Sequence, residues 1–158
     1  MNAPRTIAIS LAVVAASSAM LVAGCGGGTT LDLTVRNDKR TVVDLTVAGA
    51  NQGDLLAVNG DLIDAGGKAI GAFHLAAAVV RTTRTREVRG TNAYISWTGS
   101  PDSLVFAGAP EYPAGGGLPT EPVRFAVVGG TGKYAGAGGQ ATVTFTKPNL
   151  FNWAIELK

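Results

Sequence analysis

The sequence predicts a single all-β domain, a barrel or sandwich of eight or nine short antiparallel strands, behind an N-terminal export signal. Three observations carry that expectation. Apolar residues recur at every second position through most of the chain, the mark of half-buried strands. Clusters of Gly, Pro, Asn and Asp interrupt that alternation at short intervals. Glycine is dense, 22 of 158 residues, and six of the 22 fall within Val127–Gln140.

The first 24 residues stand apart from that domain. Arg5 is a lone positive charge ahead of an uncharged run, Ile7 to Ala23, rich in Ala, Val, Leu and Ile. A charged head, a short apolar middle and small residues at the cleavage point describe a secretory signal. The run falls short of the roughly 20 residues a spanning helix needs. It ends in Val22-Ala23-Gly24-Cys25, and Cys25 is the only cysteine, so no internal disulfide or paired-thiol metal site is available. Val-Ala-Gly-Cys resembles the lipobox of bacterial lipoproteins. That resemblance implies a Cys25 that is diacylglycerated on sulfur and becomes the first residue after cleavage, anchoring the chain outside the cytoplasm. Residues 25–30 are then the lipidated cysteine and a Gly-rich tether. As a flexible coil, Gly26 to Thr30 reaches only about 12 Å. Without Arg5 the chain has 12 Lys and Arg against 11 Asp and Glu, a near-balance that gives no reason to expect a nucleic-acid partner.

Residues 31–158 read as strands in turn. Leu31, Leu33 and Val35 alternate with polar residues, Asn37-Asp38-Lys39-Arg40 has the composition of a turn, and Val43, Leu45 and Val47 alternate after it, so a hairpin is expected. Asn51-Gln52-Gly53 breaks the pattern, a strand follows from Asp54 to Ile63, and Asp64 to Lys68 is a second turn. Ala69 to Arg81 has helix-favouring Ala76-Ala77-Ala78, but flanking glycines and Val79-Val80-Arg81-Thr82-Thr83 favour one long strand. Its faces would be Phe73, Leu75, Ala77, Val79 and Ala72, His74, Ala76, Ala78, Val80. Both are apolar and both call for cover, one by the barrel interior and the other by a second copy or another segment of the chain. Arg81, Arg84, Arg86 and Arg89 form a basic stretch, read as a solvated rim, with a lipid-headgroup patch as the sharper alternative. Asn92 to Thr98 and Ser103 to Gly108 continue the strands. Residues 109–122, with four prolines and three glycines, form a long irregular loop, an expected lid over an open end. Val123 to Val128, Ala141 to Thr146 and Phe151 to Leu157 complete the set, the last with Phe151, Trp153, Ile155 and Leu157 on one face.

The glycine loop invites a phosphate-binding reading, which its context opposes. Gly132-Lys133 is followed by Tyr134 rather than a hydroxyl residue able to meet magnesium. Gly136 to Ala141 fits a loose dinucleotide pattern, yet the next residues, Thr142-Val143-Thr144-Phe145, have strand chemistry. No helix N-terminus awaits a phosphate. A structural loop between strands, held by Gly129, Gly130, Gly132, Gly136 and Gly139, is the expectation.

Three blocks together resemble the allene oxide cyclase and dirigent barrel superfamily. They are Gly53-Asp54-Leu55-Leu56 with Gly66 to Gly71, Phe125 to Tyr134 with Gly139-Gln140, and Leu150 to Leu157. The resemblance covers most of residues 31–158. It implies an eight-stranded antiparallel β-barrel with an apolar cavity, commonly a homotrimer, working without metal or organic cofactor. Matching polar turns sets the cyclase branch's catalytic glutamate and asparagine at about Leu33 and Val35. Neither residue can polarise an epoxide or hold a water, so that chemistry is not carried over.

The remaining candidates for an inward polar role are His74 and Asp61 as catalysts and Asn59, Tyr94, Arg81 and Trp153 as cavity residues. The lone histidine has no identifiable base or orienter, so whether the domain is an enzyme stays open. The leading expectation is a lipoprotein whose barrel binds a small hydrophobic molecule. A cofactor-independent cyclase or isomerase and a filled, structural envelope barrel are the alternatives.

Overall fold

The computed structural model describes residues 22–23, 28–45 and 51–158. The expected signal, Cys25 and Val47 lie outside these, apart from Val22–Ala23. Ten strands follow one another: β1 (Val22–Ala23), β2 (Thr29–Val43), β3 (Leu55–Ile63), β4 (Ala69–Thr82), β5 (Arg86–Trp97), β6 (Ser103–Gly108), β7 (Glu111–Pro113), β8 (Val123–Thr131), β9 (Gly139–Lys147) and β10 (Leu150–Leu157). Eight of them form a closed antiparallel barrel in the order β2-β10-β9-β8-β6-β5-β4-β3, with β3 returning to pair with β2. β7 adds to β5 through Arg86–Pro113, Glu87–Tyr112 and Val88–Glu111, and β1 pairs with the start of β2.

Strict alternation sorts each strand into an inner and an outer row. On β10, Phe151, Trp153, Ile155 and Leu157 are buried and the residues between them exposed. The inner rows of β8 (Val123, Phe125, Val127) and β9 (Ala141, Val143) meet them in one cluster with Leu31, Val35, Leu62, Phe73, Ala93, Ile95, Leu104 and Phe106. The Val, Leu, Ile and Phe side chains among them contribute about 1.5–3 kcal/mol each on burial. The long apolar stretch is a strand, β4, with Phe73, Ala77 and Val79 inside and His74, Ala76 and Val80 exposed outside.

The expected first hairpin is absent. Asn37-Asp38-Lys39-Arg40 is not a turn: β2 runs unbroken through it, with a bulge between Asn37 and Lys39. The reason is a change of partner. Residues 29–36 pair with β10, whereas residues 34–43 pair with β3, so the polar quartet sits where β2 outruns the end of β10. The Asn37 amide donates to the Asn149 carbonyl at 2.9 Å, and Arg36 meets Asp61 at 2.6 Å. The next turn is held by Asp64, whose Oδ1 accepts from the amides of Gly66 and Lys68, each at 2.9 Å.

The glycine loop shuts the end of the barrel opposite the β9–β10 turn. Gly132–Tyr134 makes one 3₁₀ turn, and Asp102 Oδ1 accepts from the Lys133 amide at 2.9 Å. That hydrogen bond holds the Asp102 carboxyl below its ordinary value, against a smaller opposing effect of burial. Lys133 Nζ lies 3.3 Å from Asp102 Oδ2 and 5.0 Å from the Tyr134 ring centre, while Tyr134 packs on Trp97 with ring centres 5.1 Å apart. Gly132 has φ +60°, and a Cβ there would run into Asp102. Gly132→Ala should therefore destabilise the domain by roughly 1–3 kcal/mol, measured by urea unfolding; an unchanged midpoint would show that the loop does not lock this end.

Candidate functional site

The other end of the barrel is not filled. A cavity of about 260 Å³ opens beside the β9–β10 turn, its walls made by Leu56, Val58, Phe73, Leu75, Ala77, Phe125, Val143, Phe145, Phe151 and Trp153. Its floor is aromatic. Phe125 stacks on Trp153 at 5.5 Å and 16°, and Phe106 and Phe73 tilt against the same indole at 4.9 Å and 5.5 Å. Phe145 meets Phe151 edge-on at 5.0 Å, a favoured aromatic geometry. The irregular segment after β6 crosses this end and contributes Tyr112, Gly116 and Leu118 to the lining, as expected of a lid. It is tied down by β7 against β5 and by Arg40 donating to the Gly116 carbonyl at 3.3 Å.

A buried polar cluster meets the cavity through Arg89, Thr91 and Tyr112, and Asn37, Asp38, Lys39 and Arg40 stand at its rim, while Glu87 lines a neighbouring hollow. Glu87 and Arg89 stand on the inner row of β5, 1% and 7% exposed. Arg89 Nε donates to Glu87 Oε1 at 2.8 Å, and its Nη2 reaches the same oxygen. The guanidinium lies 4.3 Å from the Tyr112 ring centre, a cation–π contact in a dry setting. Burial pushes the Tyr112 hydroxyl up to about 12; the Arg89 charge opposes the rise and Glu87 adds to it. The phenol is thus neutral at physiological pH, a hydrogen-bonding group and not a phenolate base. Three buried side-chain atoms have no hydrogen-bond partner among the described residues: Asn37 Oδ1, Glu87 Oε2 and Trp153 Nε1. Asn37 and Trp153 line the aromatic cavity. Among the described residues no three His, Cys, Asp or Glu side chains gather as a metal would require.

Most of the residues expected inside are on the outer wall. Asn59 and His74 face each other across β3 and β4 and meet at 2.8 Å in the open. Tyr94 is next to His74 on β5 and 45% exposed. Asp61 pairs with Arg36, and Arg81 with Glu111 at 3.1 Å on the surface. The inner rows of β3 and β4 hold the even-numbered Val58 and Leu62 and the odd-numbered Phe73 and Ala77, so Asn59, Asp61 and His74 have the wrong parity. Trp153 lines the cavity. Of the basic stretch, Arg81, Arg84 and Arg86 are exposed while Arg89 is buried. Glu87 and Arg89 were legible by counting back in twos from Ile95 through Ala93 and Thr91. The charge of Arg89 disguised it as a rim residue.

The fold is a closed eight-stranded antiparallel barrel of the kind seen in a dirigent protein. No family model matches the chain, and no curated protein sequence matches it. Solved structures do. One described as a pyocyanin demethylase is similar with a TM-score of 0.70 at 22% identity, covering 82% of this chain and 99% of the other. A pterocarpan synthase dirigent protein is similar at 0.63 and 14%, covering 82% and 83%. A Diels-Alderase from Streptomyces koyangensis is similar at 0.62 and 17%, covering 82% of this chain but only 63% of its own. At these identities the likeness is one of fold.

The Tyr112 environment gives a pH prediction. Its folded value lies above the ordinary 10.0. The stability it contributes is therefore complete below pH 10 and is lost as the pH rises through about 12. Ultraviolet titration should show a late phenolate step that Tyr112→Phe removes; identical curves for the two proteins would contradict the buried placement.

Proposed function

We propose that the protein is a lipid-anchored, extracytoplasmic module whose barrel binds a small hydrophobic molecule. The observation that carries this reading is the aromatic cavity, open at one end and bordered by a few convergent polar groups, the usual form of a small-molecule site. Its volume of about 260 Å³ falls a little below the roughly 300 Å³ at which such sites usually begin, and it argues against the filled structural barrel. The anchor rests on the sequence, Val22-Ala23-Gly24-Cys25 behind its apolar run. On that reading the mouth faces away from the bilayer. Thr29 enters the barrel opposite Leu157, which is next to Gly139, whereas the mouth lies beside Pro148 and Asn149. β10 alone separates the two ends by roughly 25 Å. The exposed Arg81, Arg84 and Arg86 lie at the mouth end, which favours a solvated rim over a headgroup patch.

A second reading, a cofactor-independent cyclase or isomerase, is favoured by two observations. Glu87 is buried with Oε2 unpartnered, and the similar barrels include a pterocarpan synthase and a Diels-Alderase. Glu87→Gln separates the readings: turnover lost with ligand retained supports the enzyme, and ligand affinity alone supports the binder. Self-association, as a homotrimer, is supported by the outer wall of β4 and β5, where Val80 and Tyr94 are 48% and 45% exposed; a light-scattering mass of one chain would end it.

The binding reading is tested with N-phenyl-1-naphthylamine, a neutral probe that brightens in apolar sites. The wild type should take it up, and Ala77→Trp, which fills the cavity wall, should abolish uptake. A dark wild type would remove the reading. In cells, Cys25→Ala should move the protein from the membrane to the soluble fraction, and full membrane retention would remove the lipid anchor.

A further inference from the structure

We propose that the cavity selects neutral, flat, conjugated molecules bearing a hydrogen-bond acceptor, and that the Trp153 indole N–H is the group that reads the acceptor. This rests on the binding reading above and deepens it. Trp153 is 2% exposed, lines the cavity, and its Nε1 is buried without a partner among the described residues. An indole nitrogen can only donate, and a buried donor left unpaired is uncommon enough to call for an explanation. The ring cannot easily turn to find a carbonyl. Phe125 stacks on it at 5.5 Å, and Phe106 and Phe73 press against it at 4.9 Å and 5.5 Å. The acceptor must come to the indole.

The rest of the cavity sets the ligand's shape and charge. Aromatic walls favour a flat, conjugated body, which can stack where a branched one cannot. The buried Arg89 is already neutralised by Glu87, and Asp38, Lys39 and Arg40 on the lining are exposed to solvent, so an ionised ligand would find no uncommitted buried charge to offset its desolvation. Asn37, whose Oδ1 is also unpartnered, offers a second hydrogen bond near the β9–β10 turn.

The test compares 9-fluorenone with fluorene, the same tricycle with and without a carbonyl, by equilibrium dialysis against the full chain and its Trp153→Phe variant. Phenylalanine keeps an aromatic ring and removes the donor. Trp153→Phe should weaken fluorenone about tenfold, the scale of one buried hydrogen bond, and leave fluorene unchanged. Equal effects on the two ligands would overturn the donor role while leaving binding intact. No binding of either ligand to the wild type would overturn this inference and the binding reading together. Infrared spectroscopy on the wild type gives a readout that does not depend on the variant's folding. The bound ketone's C=O stretch should fall below its frequency in hydrocarbon, and an unshifted band would overturn the proposal.

Discussion

Closure of the sheet is the constraint on which everything else depends. β2 hydrogen-bonds β10 with its first half and β3 with its second, so one strand joins the two edges that would otherwise template aggregation. To reach both partners it runs for 15 residues, longer than either, and it bulges where it changes sides. Once the ring is closed, every inner row converges on one axis and the interior is fixed in width. What remains variable is how far along that axis the side chains fill it. At the glycine-loop end Ile95, Leu104 and Ile155 fill it completely. At the other end the rows give way to Ala77, Thr91 and a tied-down loop, and a cavity results.

The buried Glu87–Arg89 pair follows from the same geometry. β5 begins at Arg86, under the lid, so its inner row enters the barrel as charge and becomes apolar only at Ala93. A buried pair of this kind rarely adds net stability over apolar residues of similar volume, but breaking one costs much. Its consequence here is local order. Arg89 grips Glu87 and stacks on Tyr112, and Tyr112 belongs to the strand that straps the lid to β5. The rim of the cavity is therefore held by one charge-assisted contact and one aromatic ring, and the lid is part of the barrel wall at that point.

The sequence showed much of the fold and little of the site. Alternation placed β3, β4, β6 and β8 to β10 closely because apolar and polar residues trade places every second position there, whereas the short β7 lies inside the segment expected to be irregular. The glycine loop was readable as structural because strand chemistry followed it. The first hairpin failed because four polar residues look the same in a turn and in a strand that overhangs its neighbour at a rim. The site failed through parity. His74, Asn59, Asp61 and Tyr94 attracted attention by residue type, yet in a strand the type says nothing about the face until one buried neighbour fixes the count. Trp153 came through because its row also held Phe151, Ile155 and Leu157. Nothing local marks its indole nitrogen as unpartnered, since that depends on Phe73, Phe106 and Phe125 arriving from three other strands.

On the binding proposal, the open half of the barrel holds a small apolar molecule in the protein's natural setting. Native mass spectrometry of the intact protein, purified from its own cells without added ligand, tests this most directly. An adduct of small-molecule mass should appear on the wild type and be missing from the cavity-filled Ala77→Trp protein. A wild-type spectrum showing only the mass of the chain and its covalent modifications, under conditions that preserve non-covalent complexes, would contradict it.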